Sequence, residues 1–335
     1  MTDSAASPEA TGPKPFGIFF ADATELLALP AGATPTLTRV DPETATVSVF
    51  DLGLIRGDGI FEATTVWKGT PLAWGLHLTR LQKSAQMAEL EIPPTEALVA
   101  LTDEVLAQMG EVEYAQLKLM ITRGADDSLS AAPKDAPLSI IAMVDCGKEP
   151  REPEIEIVTL DREVNKDSAQ KAPWLLLGAK TLSYATNMAA KREYERRGAQ
   201  NAVFITLDGY VMEGPQSTVV LREGGRVVTP HPSIGILHGT TQQELFAWAE
   251  LTGLETAYEE ITKDRLFTAD QVWMMGASSV QSVRAIDGKP ITHDIDTAIE
   301  ISEFMKTERE AIDAWTAARA IGAPEEGVPV QGAHV

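Results

Sequence analysis

The chain has 335 residues, 44% of them hydrophobic and 23% charged, enough for one large or two ordinary domains with real cores. Its net charge of −21 and pI near 4.6 argue against a nucleic-acid partner, which requires a basic face. The single cysteine, Cys146, excludes an intrachain disulfide and fits a reducing cytoplasm, and no apolar run approaches the ~20 residues of a membrane span.

Residues 1–15, "MTDSAASPEATGPKP", lack an apolar stretch and read as a disordered N-terminal segment rather than a secretory leader. "FGIFF" and "TVSVFD" predict strands, and "IFEATTVWKGTPLAW" predicts a hairpin turning at Lys68-Gly69. Helical apolar spacing follows in "LHLTRLQKSAQMAEL" and in "PTEALVALTDEVLAQMG", the latter stopped by Gly110. "YAQLKLMITRG" and "APLSIIAMVDC" predict strands joined by a polar loop. The charged, proline-containing "GKEPREPE" is the predicted linker, residues 147–154, between a smaller domain over 16–146 and a larger one over 155–320.

In the larger domain "PWLLLGAK" reads as a buried strand ending at Lys180, followed by an N-cap at Ser183 and a helix stopped by Gly198. Hairpins are predicted at Asp208-Gly209 and Gly224-Gly225, then a helix "TTQQELFAWAELTG", a strand "QVWMMGASSV" and one long helix from about Thr297 to Ala317, with a flexible tail over 321–335. These elements describe an α/β (α+β) protein of two mixed domains rich in antiparallel hairpins. Regular βαβ alternation is missing, which excludes a doubly wound nucleotide-binding fold.

No G-x-G-x-x-G, P-loop, H-E-x-x-H or G-x-S-x-G occurs, and the five histidines have no metal-ligand spacing. A lysine at a strand end remains. A Schiff-base lysine working with pyridoxal phosphate needs a phosphate site, a carboxylate at the pyridine nitrogen, a hydroxyl near the ring oxygen and an apolar ring support. Taken alone, each supplying residue has an ordinary explanation. Lys180 could snorkel, Arg80 could be a solvated helix residue, and Glu213 a rim carboxylate. Tyr184 could be a core aromatic, Thr240 and Thr241 a plain helix cap, and Ser278 a turn serine.

Their order is more specific. "RGDGIFE", "HLTRL", "AKTLSYATNMAA", "DGYVMEGPQSTVVL", "GILHGTTQQEL" and "WMMGASS" together resemble the fold-type-IV pyridoxal-phosphate enzymes, over roughly residues 45–290. These comprise the D-amino acid, branched-chain and (R)-amine transaminases and aminodeoxychorismate lyase. The resemblance implies that Lys180 is the Schiff-base lysine and proton shuttle, Glu213 the partner of the pyridine nitrogen and Tyr184 the hydroxyl near the ring oxygen. It further implies that Arg80, Thr240, Thr241 and Ser278 bind the phosphate, that Leu237 packs on the ring, and that the enzyme is a homodimer with its site between domains.

The resemblance does not settle the substrate. Gln242 stands where arginine is common, Arg123 is followed by "GADDSLSAAP" without a second cation, and Arg56 and Thr65 depart from the branched-chain pattern. Arg56, Phe61, Arg123 and the backbone up to Ser279 are the expected substrate contacts. Three functions stay open: a transaminase with a relaxed donor range, an aminodeoxychorismate lyase releasing pyruvate, and a non-enzymatic protein retaining the fold. A small-molecule amine or amino acid and a keto acid are the expected partners, with no nucleic acid, no membrane and no metal.

Overall fold

The computed structural model describes residues 16–126, 137–147 and 151–322. The predicted segment 1–15, most of the polar loop (127–136), the centre of the linker (148–150) and the tail from 323 lie outside the described residues.

Strand β1 (Phe16–Asp22) leads into α1 (Ala23–Leu27), whose first turn is capped by Asp22 accepting the Glu25 N–H at 2.9 Å. β2 (Leu37–Val40) folds back on β1. "TVSVFD" is not a strand. Its alternating valines pair with no strand, Val47, Val49 and Phe50 are exposed, and only Asp51 bridges, to Ala125. After α2 (Leu52–Arg56), β3 (Gly59–Trp67) and β4 (Thr70–Pro71) form the predicted hairpin, with Lys68 and Gly69 at φ 47° and 76° as a tight primed turn requires.

Helices α3 (Trp74–Met87) and α4 (Thr95–Met109) pack Leu78, Leu81, Leu98 and Leu101 into one core with Leu117, Leu119 and Ile121. The last three belong to β5 (Tyr114–Thr122), which pairs with β6 (Ser139–Asp145). The resulting antiparallel sheet has the order β2-β1-β6-β5-β3-β4.

The second sheet begins with β7 (Glu154–Asp161) and is followed by α5 (Ser168–Lys171). "PWLLLGAK" differs from its prediction: Pro173–Leu175 form a 3₁₀ turn and Trp174 is 76% exposed. Left-handed backbone at Leu176 and Gly178 (φ 51° and 88°) bends the run before an extended segment can develop. Ser183 does not cap α6 (Ala185–Arg196); its hydroxyl donates instead to Gly57 O at 3.2 Å.

β8 (Asn201–Ile205), β9 (Thr218–Glu223), β10 (Arg226–Pro230), α7 (Thr240–Leu251), β11 (Glu255–Glu259), α8 (Arg265–Thr268), β12 (Gln271–Gly276), β13 (Ser279–Ile286) and β14 (Lys289–Pro290) complete this half. The path is β11-β10-β9-β12-β13-β7-β8, with β14 on β13. It mixes antiparallel hairpins with parallel pairing of β7 to β8 and β13. The predicted single C-terminal helix is two, α9 (Ile295–Thr307) and α10 (Arg309–Gly322). The break at Glu308 turns α10 onto α7, where Trp315 donates to Glu250 and Arg309 pairs with the buried Glu244.

Candidate active site

Lys180 lies where the two sheets meet. Its N–H donates to Ser84 Oγ at 3.0 Å, and its carbonyl accepts the Phe61 N–H at 3.0 Å, tying the segment to α3 and to β3. Gly178 allows the approach, since a Cβ there would sit 3.0 Å from Ile236 O in a left-handed backbone. The side chain enters a cavity of about 400 Å³, with Nζ 4.7 Å from the Phe61 ring centroid. Among the described residues this amine has no hydrogen bond or ion pair. Enclosure first, and the Arg80 charge second, lower its pKa to about 8.

Glu213 lines the same cavity. The chain returns past β8 through the predicted Asp208-Gly209 turn, and the Phe204 N–H donates to Glu213 O at 2.8 Å. One carboxylate oxygen accepts the Leu237 N–H at 3.1 Å. Burial raises the pKa to about 7, against the opposing pull of that N–H and of Lys180. Tyr184 also lines the cavity, edge-on to Phe61 at 5.5 Å, and its hydroxyl donates to Pro215 O at 3.2 Å. Burial and the nearby Glu213 push that phenol up to about 12.

In the cavity wall, α7 begins after Gly239, its N-cap residue, which supplies no side-chain cap. Its first-turn N–H groups and positive end suit an anion. Thr240 and Thr241 stand there, and Thr241 Oγ1 accepts the Ser278 N–H at 3.3 Å. Arg80 reaches the same end, donating to His238 O at 3.2 Å.

The residues that orient Arg80 were missed in the sequence. Glu62, fully buried on β3, accepts from Arg80 Nε and Nη2 at 2.7 Å each and pairs with His77 Nδ1 at 2.7 Å. The far His77 nitrogen lies 3.1 Å from Thr240 Oγ1. Burial alone would raise Glu62, but Arg80 and His77 outweigh it and hold the carboxyl well below the usual range. A signal existed: an acid inside an apolar strand, with His77 and Arg80 at i,i+3 on the helix that follows. Arg162, packed over Phe204 at 4.9 Å, and Asn187, donating to Pro215 O at 2.6 Å, also line the cavity without a distinguishing sequence signal.

The expected substrate contacts fare differently. Arg123 is taken up structurally: it donates to both oxygens of Asp58 at 2.8 and 3.2 Å and to the carbonyls of Ala88 and Glu89, and it does not line the cavity. Arg56, at the end of α2, lies on the exposed surface of the chain, outside the cavity. Ser279 turns its hydroxyl onto Gly276 O at 3.0 Å and, with Ser278, lines a neighbouring cavity of about 190 Å³. Phe61 contributes the ring beneath Lys180 and Tyr184. No cluster of metal-binding side chains occurs among the described residues.

These groups match pyridoxal phosphate in their chemistry: an amine without a partner, a carboxylate deep in the cavity, and an uncapped helix start beside an arginine. Residues 59–286 match the amino-transferase class IV family, and the chain belongs to this family of pyridoxal-phosphate-dependent enzymes. It is 34% identical to the bifunctional aminodeoxychorismate lyase / D-amino acid transaminase of Mycobacterium tuberculosis over 71% of this chain and 85% of that protein. Its fold superposes on the fold IV transaminase CpuTA1 from Curtobacterium pusillum with a TM-score of 0.80 at 32% identity, over 88% of this chain and 99% of that one. A hypothetical aminotransferase of M. tuberculosis in its PLP-bound form gives 0.73 at 29% identity, over 81% and 96%.

Proposed function

We propose that the cavity is a transaminase site in which Lys180 holds the cofactor and moves the proton, Glu213 faces the pyridine nitrogen, and Arg80, Thr240 and Thr241 bind the phosphate at the start of α7. Ser278 supports Thr241, Tyr184 stands near the ring oxygen, and Leu237 packs on the ring. When bound, pyridoxal phosphate supplies a carbonyl that exchanges with amines and a ring that accepts electrons from the substrate carbon. The protein's part is to lower the amine's pKa so that a useful fraction is neutral near neutral pH, to move a proton with it, and to hold ring and phosphate still. The observation that carries this reading is the unpaired, enclosed Lys180 in the same cavity as Glu213 and the α7 start.

The acceptor is a keto acid, and donors include amino acids and amines without a carboxylate, such as (R)-1-phenylethylamine, with neither Arg123 nor Arg56 lining the cavity to make a carboxylate obligatory. The two sheets and their cores serve as a smaller domain over 16–146 and a larger one over 155–320. A second copy covers the exposed Val49 and Leu54, 69% and 63% accessible, to give a homodimer. A cytoplasmic site of action belongs to the same reading. The test is to add donor alone to the reconstituted protein: conversion to the pyridoxamine form, reversed by keto acid, supports transamination. The second reading, aminodeoxychorismate lyase, is favoured by the relative that bears both names. Pyruvate released from aminodeoxychorismate without acceptor would select it.

A further inference from the structure

Arg151 precedes β7 and stands beside the β12–β13 turn. Its guanidinium lies over Gly276: a Cβ on that glycine would sit 3.4 and 3.7 Å from its two terminal nitrogens. Gly276 lines the main cavity, Arg151 lines the smaller one, and Ala277 lines both. The guanidinium therefore stands at the junction of the two, close enough to Tyr184 for that phenol to act on it electrostatically.

Arg151 has no hydrogen bond or ion pair among the described residues, in a chain with 49 acidic side chains against 28 basic ones. Two other arginines line the main cavity: Arg80 is held by Glu62, and Arg162 packs over the Phe204 ring on the Glu213 side. An enclosed guanidinium without an anion is costly, and burial pushes its pKa below the usual value. The other charged side chains lining the smaller cavity, Lys306 and Glu303, pair with each other at 3.5 Å.

The turn that Arg151 covers is held firmly. Ala277 and Ser278 both adopt left-handed φ, 53° and 52°, which costs about 1 kcal/mol or more each for residues with a side chain. Thr65 Oγ1 donates to Ala277 O at 2.9 Å and accepts Gln116 Nε2 at 2.9 Å, while Thr241 holds the Ser278 N–H. Thr241 thus joins this turn to the start of α7.

We propose that Arg151 is the carboxylate-recognition residue of the substrate site, taking the carboxylate of amino acid donors and of the keto acid acceptor at the junction of the two cavities. The proposal rests on the transaminase reading and names its substrate anchor. A single guanidinium gives carboxylate donors an advantage without making a carboxylate obligatory.

The test titrates 3-phenylpropionate, a carboxylic acid with no amine, into the cofactor-loaded wild type, Arg151→Gln and Arg151→Lys, following the cofactor absorbance. We expect Arg151→Gln to bind roughly 30-fold more weakly, and Arg151→Lys to recover part of the loss because it keeps the charge without the fork. In parallel, the ratio of kcat/KM for amino acid donors to that for 1-phenylethylamine should fall by a similar factor in Arg151→Gln. Unchanged 3-phenylpropionate affinity in both variants, or no binding to the wild type, overturns the proposal. Arg151-dependent binding without turnover of any donor would sink the transaminase reading and leave the carboxylate site standing. The cofactor spectrum and melting temperature of each variant establish that it folds.

Discussion

Two carboxylates deep in the molecule, Glu62 and Glu213, are driven in opposite directions. Glu62 receives a bidentate arginine and a histidine and is held far below its ordinary pKa, whereas Glu213 receives one backbone N–H and rises to about 7. The same contrast separates the cations. Arg80 is raised by Glu62, and Lys180, with no ion pair, falls to about 8. Paired charges are fixed and build the frame, while unpaired ones sit near the pH of the medium, where a proton or a covalent bond can be exchanged. The largest test of that division is Lys180→Ala. Losing a positioned acid/base costs about 10²–10⁴-fold, and here the covalent attachment is lost too, so turnover should fall by at least the upper figure. Borohydride should fix cofactor to the peptide containing Lys180. Label at Lys171 or Lys191, both in salt bridges on the surface, would end the assignment.

The next test sets the two carboxylates against each other. Glu62→Gln strands Arg80 and His77 in the core and should cost about 3–5 kcal/mol in denaturant unfolding, the range for breaking a buried pair from one side. Glu213→Gln removes an acid that burial disfavours, so the cofactor-free protein should be no less stable at pH 8, while turnover slows. The pH slopes differ in sign. Glu213, with its folded pKa raised, makes the cofactor-free protein lose stability as pH rises from about 4.5 through about 7, because the unfolded chain releases its proton first. Glu62, with its folded pKa depressed, contributes stability above about 4.5 that is lost in acid. Equal destabilisation by both substitutions, or matching slopes, would erase the contrast.

Half of this contrast was legible in the sequence. The order of short segments singled out Lys180 and Glu213, which line one cavity, and turn chemistry and periodicity located β3, β4, α3, α4 and the Gly224-Gly225 hairpin. "PWLLLGAK" and "TVSVFD" misled because their apolar residues were read as strands, the first of them buried. One bends at Leu176 and Gly178, and the other stays on the surface. Glu62 and His77 escaped notice because burial and pairing across 15 residues are tertiary facts. The pairing of Arg123 with Asp58 was not legible either, because the two are 65 residues apart.

Lys180 also predicts how the cofactor is captured. The attacking amine must be neutral, and with a pKa of about 8 roughly a tenth is neutral at pH 7, some 300-fold more than for an ordinary lysine. The rate of pyridoxal-phosphate incorporation into cofactor-free protein should therefore climb about tenfold between pH 7 and 9 and level off, measured by stopped-flow absorbance. A rate still rising tenfold per pH unit beyond 9 would show that the amine is not perturbed.

The smallest effect belongs to Arg123, which marks the framework side of the comparison. Its partner Asp58 and its own side chain are both partly exposed, so water screens the pair and the expected cost of Arg123→Gln is modest, about 1 kcal/mol in unfolding. The carbonyls of Ala88 and Glu89 lose donors but can turn to solvent, and Glu89 already sits in a left-handed conformation at the end of α3. Because the guanidinium is committed to Asp58 and lies outside the cavity, the substitution should leave the relative rates of amino acid and simple amine donors unchanged. A selective rise in KM for amino acids in Arg123→Gln would move this arginine from the frame to the site, and would show that a charge already paired within the chain can still be recruited by substrate.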